Sequence, residues 1–335
     1  VPFPACPGGE GGDGGDWAYV PNAFFTMAVN PRLSFGLALN VPFGLKTEYE
    51  NGWRGQATAL KSEVKSVNIN PSVAFKPSDA VAIGIGASVQ AIEAELTNFA
   101  GGAGTSRLTA EDLGWGWNLG LLIQASPTTR IGAHYRSKIK FGLEGDVTFS
   151  GFPTGNGNVR ADLNVPDSAS ISVFQTLENW ELMGDVTWTG WSSLQQLQVI
   201  RTSTAATFPF PVIPGATGST ISTLQFQWED TWRYALGVNY KMSPQTKLRF
   251  GVAFDETPTN DQFRTARLPD QDRTWVALGV QFRPSKTSTL DVGYAHEFIK
   301  DAKINNAAPS PFPGALTGTF KNEADIFSIQ YSQSF

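Results

Sequence analysis

Charge is scarce in this chain of 335 residues: Asp, Glu, Lys and Arg supply 16% of it, against about 25% in ordinary soluble domains. The net charge of −5 gives no basic footprint for a phosphate backbone, so nucleic acid is set aside as a partner. A single cysteine, Cys6, closes no intramolecular disulfide, and two histidines, His134 and His296, cannot assemble a zinc-type cluster, so no metal or cofactor is expected. No apolar run reaches the roughly 18 residues of a membrane-spanning helix; the longest, 80–89, is broken by Gly84, Gly86 and Ser88. Residues 1–16 show neither the basic nor the apolar segment of a secretory signal.

Aromatic residues, by contrast, reach 12%, and they fall into alternating patterns. Leu113, Trp115, Trp117, Leu119, Leu121 and Ile123 share one parity, while Gly114, Gly116, Asn118, Gly120 and Gln124 fill most positions between. The same period of two runs through Val81, Ile83, Ile85 and Val89, through Trp232, Tyr234, Leu236 and Val238, and through Phe327, Ile329, Tyr331 and Phe335. Period 3.6 is nearly absent, so the chain reads as all-β. Alternation alone fits a sandwich core as well as a lipid-facing barrel wall. Connection lengths separate the two. Short turns near 30–31, 76–79, 126–129, 178–179, 243–245 and 284–287 alternate with long Gly- and Pro-rich connections near 48–62, 98–112, 150–167, 192–220, 258–269 and 303–322. Outer-membrane barrels are built this way, with short periplasmic turns and long external loops. Trp115, Trp117, Trp188, Trp191, Trp228 and Trp232, near segment ends, suit the interfacial girdles of such a wall.

About thirteen strand segments lie between Trp17 and Phe335, whereas bacterial single-chain barrels have an even number. The expectation is a transmembrane antiparallel β-barrel over residues 17–335, preceded at 1–16 by the remnant of an external loop, with one strand missing ahead of it.

Several stretches then carry a family resemblance: Trp17-Ala-Tyr-Val-Pro-Asn22, Phe43-Gly-Leu-Lys-Thr-Glu-Tyr49, Trp115-Gly-Trp-Asn-Leu-Gly120 and His134-Tyr-Arg-Ser-Lys-Ile-Lys140. Trp188-Thr-Gly-Trp-Ser-Ser-Leu-Gln-Gln-Leu197, Phe254-Asp-Glu-Thr-Pro258 and Pro269-Asp-Gln-Asp-Arg273 before Trp275 complete the set. In order and spacing the chain resembles the FadL/TodX-type outer-membrane transporters of long-chain fatty acids and aromatic hydrocarbons. That resemblance implies a barrel of fourteen strands plugged by an N-terminal hatch, capture of ligand at the outer loops, a pocket in the lumen, and sideways release beside a kinked third strand. The hatch and first strand have no counterpart here, and the connection 98–112 is shorter than the helical capture loop of some members.

Candidate site residues follow from parity. In 130–141, Arg130, His134, Arg136, Lys138 and Lys140 share one face and Ile131, Ala133, Tyr135, Ile139 and Phe141 the other, so the cations are expected inside the barrel. Arg136 and Lys138, beside His134, would receive a carboxylate by charge-assisted hydrogen bonds, or would pair instead with Asp185, Glu181, Asp255 or Asp291. Arg273 faces inward with Trp275 and would serve ligand or pair with Asp270 and Asp272. Along 33–45, Asn40, Pro42 and Gly44 share the lumen face; proline donates no ladder bond and glycine loosens the backbone, so a kink is expected. By the resemblance this is the lateral opening, with Phe43 at its rim; a simple bulge is the alternative. Phe99, Leu108, Phe149, Phe152, Phe208 and Phe210, with Val212 and Ile213, would form an exposed outer-loop patch for capture, or pack on one another.

The functional expectation is passive uptake of a hydrophobic small molecule through the outer membrane of a Gram-negative bacterium, by a monomer surrounded by lipid. A general diffusion porin with a wet lumen is the rival. A barrel lipase would need His134 to meet Ser137 or Ser172 and a third group, and His296 lies on the outward parity, so no enzyme is expected.

Overall fold

The computed structural model describes residues 8–209, 212–306 and 316–335. Cys6 and Phe210 lie outside the described residues. Eighteen strands join one sheet. Thirteen form the wall, each antiparallel to the next: Ala23–Asn30, Leu33–Asn40, Lys61–Ser78, Val81–Phe99, Thr105–Ser126, Thr129–Arg136, Ser168–Leu177, Trp180–Thr189, Thr231–Lys241, Thr246–Asp255, Arg273–Phe282, Ser288–Ile299 and Glu323–Gln333. The other five, Gly44–Glu48, Ile139–Phe149, Gly157–Val165, Gln196–Arg201 and Thr220–Gln225, build the sheet out at the loop end.

The short turns are fixed by their own side chains. Asn30 Oδ1 accepts from the N–H groups of Arg32 and Leu33, both at 2.9 Å, and Ser243 and Ser285 close their turns the same way. Contacts between strands far apart in wall order then require the sheet to curl. Phe43, after the second strand, meets Trp191, after the eighth, edge to face at 5.8 Å. Arg267, between the tenth and eleventh, donates to Ser62 Oγ at 3.0 Å on the third strand and to the Thr97 carbonyl at 3.3 Å on the fourth. The fold is therefore an antiparallel barrel. Among the described residues no ladder joins Ala23–Asn30 to Glu323–Gln333.

The barrel is inside-out. Trp115, Ile171, Leu236 and Ile329 are 68%, 66%, 68% and 77% exposed on the outward face, where lipid rather than water is the solvent that apolar side chains prefer. Glycine, serine, asparagine and charge occupy the alternate positions that line the lumen.

Two wall strands break. Asn40 pairs with Asn68 and Gly44 with Lys65, so one extra residue is squeezed between them around Pro42. Ser66 closes this bulge: its hydroxyl accepts from the Phe43 N–H at 3.1 Å and donates to the Phe43 carbonyl at 2.6 Å. Where a kink is expected from Pro42 and Gly44 the strand makes a bulge, with the ladder to Lys61–Ser78 interrupted over 41–43 and resumed at Gly44.

The second break corrects the expectation of one continuous strand over 130–141. The ladder stops at Arg136 opposite Asn118 and resumes only at Glu144 opposite Glu111, with Ser137 left to bond Trp117. In the gap Ile139 and Phe141 lie over the lumen face of Gly114 and Gly116: a Cβ on Gly114 would stand 2.5 Å from Ile139 Cγ2. Two missing side chains make room for two large ones. The expected loop 98–112 is also corrected. It is almost wholly ladder, Leu96 opposite Leu108 and Phe99 opposite Thr105, turned through Gly101 and Gly104 at φ of 60° and 78°.

Candidate functional site: the barrel lumen

Paired ions line much of the lumen, those of Glu181 and Asp291 toward the short turns. Glu181 accepts from Lys247 at 2.7 Å, from Asn239 at 2.8 Å and lies 3.4 Å from Lys241. Asp291 takes Arg249 at 2.7 Å and Gln281 at 3.0 Å. Asp185 accepts from Thr187 at 3.2 Å, and Asp255 stands in register between Arg233 and Arg273.

Arg136 is not part of this network. It faces the lumen in register with Asn118 and Ser168, half-buried, and among the described residues its guanidinium makes no hydrogen bond or ion pair. Directly above it sits an apolar cluster of Ile92, Ala110, Ile139, Phe141, Leu143 and Val165, with Phe43, Val64, Leu108 and Leu163 packed at its edge. An unpaired cation and a packed apolar cluster therefore lie at the same end of the lumen, the chemistry suited to one end of an amphiphile.

The remaining candidates separate. Lys138 lies beyond the break, on the face of its segment opposite Ile139, and is exposed. His134 is exposed in the lumen, in register with Gly120 and Ser170, and bonds neither Ser137 nor Ser172 among the described residues. Arg273 is held by Asp270 and by Glu297, the latter at 3.1 Å. Trp275 turns inward with its indole N–H buried and unpartnered, the Arg233 guanidinium 5.9 Å from its ring. Asn40 accepts from Asn68 at 2.9 Å beside Pro42 and Gly44.

Among the described residues of the expected outer-loop patch all but Phe99 and Val212, the latter 69% exposed, pack into or against a core. Phe149 is 3% exposed, clustered with Val147, Val159, Val199 and Ile213, while Leu108, Phe152 and Phe208 pack against it and the Phe152 and Phe208 rings meet at a tilt with centroids 5.0 Å apart. Phe99 is half-buried at the same end. These strands are too far from the bilayer to bury their apolar face in lipid, so they bury it in each other.

Sequence reasoning missed two groups. One is the set of polar side chains buried on the lumen face of the third and fourth strands, Ser66, Asn68, Ser88 and Gln90; alternation placed them inside, but nothing in their spacing marked them as buried. The other is Arg267, which crosses the mouth to bond the carbonyls of Lys61 and Thr97. Burial without a carboxylate partner lowers its pKa to about 10.

A hollow of about 370 Å³ lies elsewhere, on the outward face above the lipid-facing band, where Glu63, Glu93, Glu95, Glu111, Glu144 and Asp146 outnumber the one cation, Lys65. Its acids repel a carboxylate, so the lumen remains the candidate.

Comparison with known proteins agrees with this barrel. Residues 7–335 match the family model for outer membrane protein transport proteins, OMPP1/FadL/TodX. The chain belongs to that family. It is an outer-membrane protein. It is 25% identical over 366 residues to the long-chain fatty acid transport protein of Escherichia coli K12, covering 95% of this chain and 77% of the relative. It is 26% identical to outer membrane protein P1 of Haemophilus influenzae, over 86% of this chain and 67% of that one. The fold superposes on a Pseudomonas aeruginosa FadL homologue with a TM-score of 0.88 at 23% identity, covering 97% of this chain and 80% of that one. For the Pseudomonas putida toluene transporter TodX the TM-score is 0.69 at 15% identity, with 94% and 82% covered.

Proposed function

We propose that this protein moves long-chain fatty acids inward through the outer membrane, the carboxylate resting on Arg136 and the chain in the apolar cluster above it. The observation that carries this reading is the unpaired state of Arg136: the acids that compete for it, Glu181 and Asp291, are held by Lys247 and Arg249. A hydrocarbon gains nothing from a desolvated guanidinium, whereas a carboxylate gains charge-assisted hydrogen bonds. The name of the Escherichia coli relative points to the same cargo.

Release is sideways, at the bulge around Pro42, where Phe43 belongs both to the cluster and to the broken strand. Each methylene leaving water for lipid gains about 0.8 kcal/mol, so the bilayer is the sink and the movement is passive. The protein acts as a monomer in lipid.

Binding of palmitate and of hexadecane to purified wild type and Arg136→Ala tests this. The expected result is palmitate binding weakened about tenfold or more with hexadecane unchanged. Palmitate binding indifferent to the substitution rejects the carboxylate reading. High ion conductance that palmitate does not block would favour a diffusion porin.

A further inference from the structure

Gln90, in Val81–Phe99, is fully buried, and neither its amide oxygen nor its amide nitrogen has a partner. Asn68, its cross-strand neighbour, is also fully buried; it donates to Asn40 and leaves its own Oδ1 without a partner. Asn40, Asn68, Gln90 and Gly114 form one row across four strands, on the lumen face. Gly114 is roofed by Ile139 and Phe141, and Ile92, two residues along from Gln90, belongs to the apolar cluster. Two acceptors and one donor are thus left without partners beside the apolar cluster against which the acyl chain would lie.

The donor pattern selects the chemistry. A methylene satisfies none of these atoms, and a carboxylate, which only accepts, would face two acceptors. A hydroxyl fits, because it donates to Asn68 Oδ1 while accepting from Gln90 Nε2. We propose that Gln90 and Asn68 form a subsite for a hydroxyl carried part-way along the acyl chain, so that hydroxylated long-chain acids are preferred cargo. The proposal rests on the reading that Arg136 holds the carboxylate. Gln90 stands four residues along its strand from Gly86, which aligns through Asn118 with Arg136. That is about 13 Å along the strand and about 10 Å across two strand spacings. Allowing for the reach of both side chains, on the order of ten carbons separate the two polar groups, a position near mid-chain in an acid of ordinary length.

Stearate and a stearate hydroxylated near mid-chain are titrated into folded wild type, Gln90→Met and Arg136→Ala, with folding checked by heat-modifiable electrophoretic migration. Wild type is expected to bind the hydroxy acid about two- to tenfold more tightly, as one added hydrogen bond provides. Gln90→Met should remove that preference by weakening the hydroxy acid alone. Arg136→Ala should weaken both acids alike; if it affects neither while Gln90→Met still removes the preference, the carboxylate reading fails and the hydroxyl subsite stands. Equal affinity of wild type for the two acids, a preference that survives in Gln90→Met, or binding of neither acid would overturn the subsite and leave Gln90 satisfied by ordered water only.

Discussion

Two sets of lumen charges solve the same electrostatic problem in opposite ways. Toward the short turns, Glu181 and Asp291 are each surrounded by a cation and an amide donor, so the charges are matched and fixed. Toward the loops, Arg136 is left without a counter-ion beneath Ile139 and Phe141. Matched charge rigidifies a wall, and unmatched charge beside an apolar surface costs stability unless something arrives to complete it. On the proposed function, the difference separates a part of the barrel that holds shape from a part that would hold cargo.

That contrast breaks most visibly in stability. Glu181→Ala leaves Lys247 and Lys241 unmatched and should cost about 2–3 kcal/mol of unfolding free energy, the full buried-pair value being reduced by the partial exposure of Lys241. Arg136→Met should cost none, and equilibrium urea unfolding in a defined bilayer distinguishes the two. A loss from Arg136→Met equal to that from Glu181→Ala would remove the distinction. Gly114→Val comes next. Its Cβ would stand 2.5 Å from Ile139 Cγ2, well inside van der Waals contact, so about 1–3 kcal/mol should be lost through overpacking and partly recovered by adding Ile139→Ala. Failure of that rescue in the double mutant would mean that Ile139 does not lie over Gly114. The smallest effect sharpens the picture at the bulge. Ser66→Ala removes both hydrogen bonds to the Phe43 backbone and should destabilise by about 1 kcal/mol, with faster amide exchange at Phe43.

The wall was legible in the sequence because lipid imposes one rule on every strand. Trp115, Leu119 and Leu121 had to face outward, so alternation and turn length specified strands and parity together. The loop end was not, because there strands pair with one another outside the lipid and the same alternation buries the other face. Ile139 and Phe141 keep the odd parity of Ile131 and Tyr135, yet they enter the lumen cluster, and only Gly114 and Gly116 on a different strand permit it. Parity placed Arg136 in the lumen, whereas the break after it sets Lys138 on a separate segment. Arg267 escaped for a related reason: its partners, Ser62 and Asn98, are distant in sequence and belong to the far side of the mouth. Pro42 was readable because its chemistry acts on its own backbone.

The most direct test of the account is the position of a bound ligand: the crystal structure with a long-chain fatty acid brominated at its tail, located by anomalous scattering. The account predicts a carboxylate within hydrogen-bond distance of Arg136 and the bromine among Ile139, Phe141 and Phe43. A carboxylate on Lys247 or Arg249, with the bromine outside the apolar cluster, would contradict it.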